Sequence, residues 1–319
     1  MRLFQLLVRL RQTGKHIPNR LQRLARHVCS VVAASLLWPG LAWAAPPTIN
    51  LLIAEPTGIY QEAANSLTQS LGHTGWKVTI SIPGHDPVNG SDLTVAIGTR
   101  ALEAALAKPA RPVLSLLVPL LTYERLAFGH QQVSALYLDQ PLTRQLQLLS
   151  VALPGLKRAG VPLGPSSQGL QVALQSAEKR SGIRVSTARV DTGPDLYAAL
   201  TGLAEDSQAF VLLPDSVVAQ RSTLQNFFLH TYRLKKPVLA YSAPLTQSGA
   251  LLGLYATPTQ LGEEAAGWII EGWSGDGFTL GASRYPKRFT IAINRTVARS
   301  LEIPLPSKEA LTRQLEARQ

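Results

Sequence analysis

The chain has a single cysteine in 319 residues, Cys29, and it lies in the N-terminal segment. Beyond that segment there is no disulfide framework, no thiolate nucleophile and no cysteine metal site. Four of the six histidines lie beyond it, His73, His85, His130 and His230. None forms an H-x-H or H-E-x-x-H pair, so neither a metal nor another cofactor is expected. There is no G-x-S-x-G elbow, no P-loop and no visible acid/base pair, so an enzyme is not expected. Acidic residues are missing altogether from residues 1–44, which carry seven of the 31 lysines and arginines. The formal charge of +11 therefore shrinks to 24 basic against 20 acidic residues in the remainder. No Lys/Arg-rich stretch with interleaved aromatics follows, which argues against a nucleic-acid partner.

What is present at the start is an ordered leader. A basic region ends at Arg26-His27, an apolar run VCSVVAASLLWPGLAWA spans 28–44, and Ala42-Trp43-Ala44 closes it as a small-x-small site. This is a secretory layout, with a signal peptide over 1–44 and cleavage expected after Ala44, which makes the protein periplasmic. An uncleaved anchor is the alternative, although the run is short for a membrane span and contains Pro39-Gly40.

The rest of the chain repeats itself. Residues 93–119 hold LTVAIGTR, an Ala-rich segment and RPVLSLLVP; residues 209–244 hold AFVLLPDSV, a longer amphipathic segment and KPVLAYSAP. Each copy reads as strand, turn, helix, Pro-Val-Leu strand. Alternating short apolar runs and helical patterns predict an α/β fold of two similar lobes, each a mostly parallel sheet flanked by helices. Predicted strands include 48–54, 76–82, 93–97, 113–118 and 133–138. A new segment opens near Leu142, Gly249–Tyr255 reads as a further strand, and Thr259–Gly272 as an amphipathic helix. Trp268 and Trp273 around that helix are expected to be buried. The tail 307–319 is polar and favours helix.

Several stretches resemble the ABC-transporter substrate-binding proteins of the tryptophan/tyrosine-binding type. They are FTIAINRTVARSLEIPLP, VAIGTRALEAALA and KPVLAYSAPLTQSGALLGLYATPTQLGEEAAGWIIEG, which together frame residues 48–306. The resemblance implies a type I periplasmic-binding-protein-like fold with a three-strand hinge. The chain would cross between lobes near Asp139–Leu142, Pro244–Ala250 and Gly277–Lys287. Lobe 1 would be 48–140 plus 248–278 and lobe 2 would be 142–244 plus 285–306, with 307–319 a polar C-terminal tail. One departure stands out: the family's Asp-Pro after the fourth strand is replaced by Val118-Pro119-Leu120-Leu121-Thr122. Loss of that acid weakens the case for an amino-acid ligand, whose ammonium needs a carboxylate.

Ligands in such folds sit at the carboxyl ends of strands, where helix N-termini converge. Candidate ligand-binding residues are Glu55, Thr57, Gly58, Tyr60, Gly98, Thr99, Arg100, Thr122, Asp215, Ser216, Tyr241 and Ser242. Gly98-Thr99 suits a carboxylate, or is a helix cap. Asp215-Ser216 suits an amine or sugar hydroxyl, or again caps a helix. Tyr241 and Tyr60 are ring-stacking candidates or packing aromatics. Glu55 and Arg100 pair with ligand charges or are solvated. The expected function is an exported monomer that captures a small molecule between its lobes and delivers it to an ABC permease in the inner membrane. The alternative is a sensing module of the same fold that signals to a membrane receptor or sensor kinase.

Overall fold

The computed structural model describes residues 45–84, 90–107 and 111–319. The leader with Cys29 and the loop position His85 lie outside the described residues.

The expected alternation of strands and helices is present throughout. The chain opens with β1 (Thr48–Ile53), α1 (Gly58–Leu71), β2 (Lys77–Ser81), β3 (Leu93–Ile97) and α2 (Thr99–Leu106). It continues with β4 (Val113–Leu116), α3 (Leu120–Ala127), β5 (Val133–Leu136) and α4 (Leu142–Ala152). Then follow β6 (Arg158–Leu163), α5 (Gln171–Ser181), β7 (Arg184–Arg189), α6 (Asp195–Asp206), β8 (Ala209–Val211) and α7 (Arg221–Arg233). The last elements are β9 (Val238–Ala240), α8 (Ala243–Ser248), β10 (Leu252–Tyr255), α9 (Pro258–Glu271), β11 (Thr290–Ile293), α10 (Arg295–Ser300) and α11 (Lys308–Glu316).

The first sheet has the order β2-β1-β3-β4-β5 and is parallel throughout. The second has the order β11-β10-β9-β8-β6-β7 and is parallel except for β11, which runs against β10. Read from β7 inwards, the second sheet repeats the strand order of the first. The internal echo in the sequence is thus real: β3–β4 and β8–β9 are equivalent parallel neighbours in the two sheets. The strands are apolar runs because helices cover both faces of a parallel sheet. Ile49, Leu51, Leu93, Val95, Leu114 and Leu116 are fully buried in the first sheet. Val161, Phe210, Val211 and Leu239 play the same part in the second.

Two expected boundaries are corrected. The segment 248–255 was assigned to the first lobe, with the crossing before it at Pro244–Ala250. Instead β10 joins the second sheet between β9 and β11, so the crossing falls after Tyr255. The cause is α8, a single short turn of helix capped by Ser242, which returns the chain beside β9 rather than across the hinge. The chain goes back to the first sheet only from α9 onwards. That helix packs against α1 so closely that a Cβ on Gly262 would stand 2.5 Å from Ala63 O. Ser66 Oγ donates to Thr259 O (2.9 Å) across the same junction. Trp268 on α9 is buried in the first-sheet core, as expected, while Trp273 is only partly buried against it.

The second correction concerns the C-terminal tail. Residues 308–316 form α11, capped by Ser307 Oγ accepting from Ala310 N (3.1 Å). Leu311 and Leu315 are fully buried in the second core together with Leu146 and Leu149 of α4. The stretch looks polar because only one face of an amphipathic helix is apolar, and two leucines four residues apart are enough to dock it.

Candidate ligand-binding site

Three connections join the two sheets. The first runs from β5 to α4 through Tyr137–Pro141, and the second from β10 to α9 through Ala256-Thr257. The third is the segment 279–289. It lies beside β5, with Arg284 N donating to Ala135 O (2.8 Å) and Tyr137 N to Arg284 O (3.0 Å). Side chains tie the connections together. Arg144 Nη1 donates to Gln140 Oε1 (2.6 Å) and to Pro286 O (2.8 Å). Gln260 Oε1 accepts from Thr257 N (2.9 Å) and Thr290 Oγ1 (3.1 Å). Glu264 accepts from Lys287 N, and Arg288 pairs with Glu263.

In each sheet the strand order reverses at one point, between β1 and β3 and between β6 and β8. Crevices outside the carboxyl ends of strands at such points are where α/β sheets hold ligands. In the first lobe the crevice holds Tyr60 over Gly98. A Cβ on Gly98 would lie 2.6 Å from the Tyr60 ring. Gly98 has φ +95° and is the α2 N-cap, so Thr99 is the first helical residue rather than the cap expected for it. The Gly98 N–H is already committed to Leu116 O (2.8 Å), which leaves fewer free amides there than the sequence suggests. Tyr60 is half-buried, whereas Glu55, Thr57, Gly58 and Arg100 are exposed at the rim.

The second lobe fills its crevice differently. Asp215 lies against Gly164, whose missing Cβ would overlap the carboxylate. Asp215 Oδ1 accepts from Val217 N (2.8 Å) and Val218 N (2.9 Å). Its Oδ2 accepts from Ser166 N (3.0 Å) and Ser167 Oγ (2.9 Å). Four hydrogen bonds make Asp215 a brace between the loops after β6 and β8. Ser216 Oγ bonds Ser166 Oγ (2.7 Å) and is exposed. Ser242 is the α8 N-cap, accepting from Leu245 N (3.4 Å).

The first connection carries a group that sequence reasoning missed. Asp139 follows β5, and its Oδ2 accepts from Leu120 N (2.6 Å) at the start of α3. Leu120 belongs to the stretch where the resemblance showed an acid missing. Burial pushes the Asp139 carboxyl up from its ordinary value, opposed by its backbone hydrogen bonds. Tyr137 precedes it by two residues and packs edge-on against Tyr285, ring centroids 5.1 Å apart, and against Tyr123 at 5.7 Å. Ser283 Oγ donates to Tyr123 Oη (2.9 Å). Burial, with Asp139 adding to it, pushes Tyr285 up to about 12. From the second lobe, Tyr241 is raised by burial and then by Asp139 and Asp215. The structure thus gathers Tyr60 with Gly98 and Asp215 with Ser166 and Ser216, while Tyr241 packs against the core of its own lobe. The available signal was Tyr137-x-Asp139, alternating just beyond a strand end. Thr122 lies in the first turn of α3, where a loop was expected. Beside it, the Leu121 methyls reach across to 3.5 Å from the space a Cβ on Gly169 would take.

The family model of ABC transporter substrate binding proteins matches residues 89–314. The chain belongs to that family. Solved structures share its fold. A ligand-free, open substrate-binding protein with adhesive properties from Clostridium difficile superposes with TM-score 0.65 at 20% identity, covering 84% of this chain and 98% of that one. An ABC domain in complex with L-Trp from Streptococcus pneumonia gives 0.57 at 17%, covering 85% and 98%. A conserved domain protein from Vibrio cholerae gives 0.56 at 20%, with the same coverages. No curated protein matches this chain. Type I periplasmic-binding-protein-like architecture and membership among ABC substrate-binding proteins therefore hold as expected, at low sequence identity. Among the described residues no helix is long and apolar enough to cross a membrane.

Proposed function

We propose that this is an exported, non-enzymatic solute-binding protein that captures a small molecule between its lobes and hands it to an ABC permease of the inner membrane. The observation that carries the reading is the convergence of strand-end loops from both sheets. Tyr137 and Asp139 follow β5 of the first sheet, Asp215 and Tyr241 follow β8 and β9 of the second, and Leu120 and Leu121 after β4 pack against the core of the second lobe. Such convergence is what a ligand needs in order to contact both lobes and hold them together, and hinge closure is the family of motion that three connections permit. Tyr60, Thr99, Thr122, Ser166, Ser216 and Tyr241 are the side chains and amide donors we assign to the ligand. The braced Asp215 orients the second-lobe loop, and the leader directs the chain to the periplasm.

Native mass spectrometry of the full chain, purified without denaturation, tests this reading. A stoichiometric small-molecule adduct that is lost on unfolding is the expected result. Adding the identified compound back should raise the melting temperature, because a ligand that binds only the native state stabilises it by mass action. A bare protein whose melting temperature is unmoved by amino acids, sugars, nucleosides and amines would overturn it.

A further inference from the structure

Independently of the proposed solute site, we infer that the far end of the second lobe carries a site for clustered phosphate groups, formed by Lys157, Arg158, Lys179 and Arg184. These four line one groove of about 770 Å³ together with Glu178, Gly182 and Gln208, a volume typical of small-ligand sites. All four cations are exposed. The groove lies at the amino ends of β6 and β7, the opposite end of the sheet from the loops assigned to the solute. Three observations support an anionic ligand. First, the charges are set against one another. β6 and β7 are parallel neighbours in which Arg158 and Arg184 stand directly opposite. Paired strands lie about 4.8 Å apart, and like charges side by side in a sheet are destabilising. Arg184 N also donates to Lys157 O (2.9 Å), which brings the lysine alongside. Lys179 lies in the last turn of α5, where a cation complements the helix C-terminus. The other three stand on or beside strand starts, and no helix end accounts for them.

Second, the acid in the groove does not neutralise them. Glu178 Oε2 accepts from Val185 N (3.0 Å), and among the described residues no ion pair reaches Lys157, Lys179 or Arg184. Arg158 has one exposed partner, Asp206 at 3.8 Å, and exposed pairs are weak. Gln208 spends Oε1 on Lys157 N (2.7 Å) and Arg158 N (3.1 Å), which leaves its NH2 as a further donor. Third, the excess of positive charge belongs to this lobe. Residues 142–255 and 290–319 hold 16 lysines and arginines against 9 acids, whereas 45–141 and 256–289 hold 8 against 11. Phosphate suits these groups, because each guanidinium fork can bind two of its oxygens and the lysines add point charges. At about two charges per phosphate group, a pair of them matches four cations.

The test is isothermal titration calorimetry of the full chain with inorganic tripolyphosphate at about 0.15 M salt, where screening suppresses diffuse attraction. One saturable site per chain is expected. The double variant Lys179→Gln/Arg184→Gln should weaken it by about tenfold or more with an unchanged circular dichroism spectrum. The control Arg221→Gln/Arg299→Gln removes two cations outside the groove and should leave binding unaltered. Vesicles of phosphatidylglycerol in phosphatidylcholine distinguish the two sources of such phosphates. Co-sedimentation that the groove variant loses assigns the site to a membrane surface. Tripolyphosphate binding without co-sedimentation assigns it to a soluble polyphosphate. Failure of both probes to bind, an unaltered response in the groove variant, or an equal loss in the control would each overturn the inference.

Discussion

Two acids in this molecule do opposite jobs. Asp215 spends all its accepting capacity on its own lobe, whereas Asp139 keeps part of its capacity unused beside the hinge. Removing Asp215 strands two amides and the Ser166 N–H at a strand end, so Asp215→Ala should lower stability by about 1–3 kcal/mol, read as a shift in the urea midpoint. Removing the charge of Asp139 should do the reverse. Burial raises its pKa, so the folded chain retains a proton that the unfolded chain releases. Its contribution is then complete below the ordinary carboxylate value of 3.8 and is lost as pH rises through the raised folded value. Asp139→Asn should melt at a higher temperature than wild type at neutral pH, and the difference should close on acidification through that interval. A parallel pH dependence in both proteins would contradict this.

Helix contacts that join distant parts of the sequence are the sensitive ones at the next scale. The α1–α9 junction tolerates no side chain at position 262, where Ala63 O, Leu67 N and Ser66 Cβ all lie within 3.0 Å of an added Cβ. Gly262→Val should cost about 1–3 kcal/mol, measurable as a fall in melting temperature. In α11, Leu311→Ala should cost about 2–5 kcal/mol, because it empties a fully buried position against α4. These two helices also show what the sequence could reveal. Periodicity gave α9 its full length, and strand alternation gave β1, β3 and β4 almost to the residue. It failed at α8, where six residues are too short to show a clear apolar stripe, and so misplaced one crossing; the helix in the tail was legible, but its docking in the second core was not. The strand-end positions of Gly98, Asp215 and Tyr241 were legible because such loops can be located from strands alone. The packing of Tyr285 on Tyr137 was not, because it depends on how the third connection lies along β5.

Across the whole molecule, the hinge is a mesh of amides and long polar side chains rather than a packed apolar joint. Gln260 holds the second connection to the third, so Gln260→Ala should broaden the range of interlobe separations. Paired spin labels, one per lobe, would report it. Cys29→Ser leaves no competing thiol for the labelling. An unchanged distance distribution would show that Arg144 and Glu264 suffice alone.

The return of α9 to the first lobe also sets an order of events during synthesis. Ala256, Leu261, Ala265, Ala266, Trp268, Ile269 and Phe278 complete a core begun at Ile49. The second core in turn waits for Leu311 and Leu315. One face of each sheet therefore waits for late residues, whereas the other closes with residues from Leu52 to Ala135 in the first lobe and from Val190 to Ala250 in the second. Each emerging half can thus pack one side of its sheet early and leave the other side exposed until the last helices arrive.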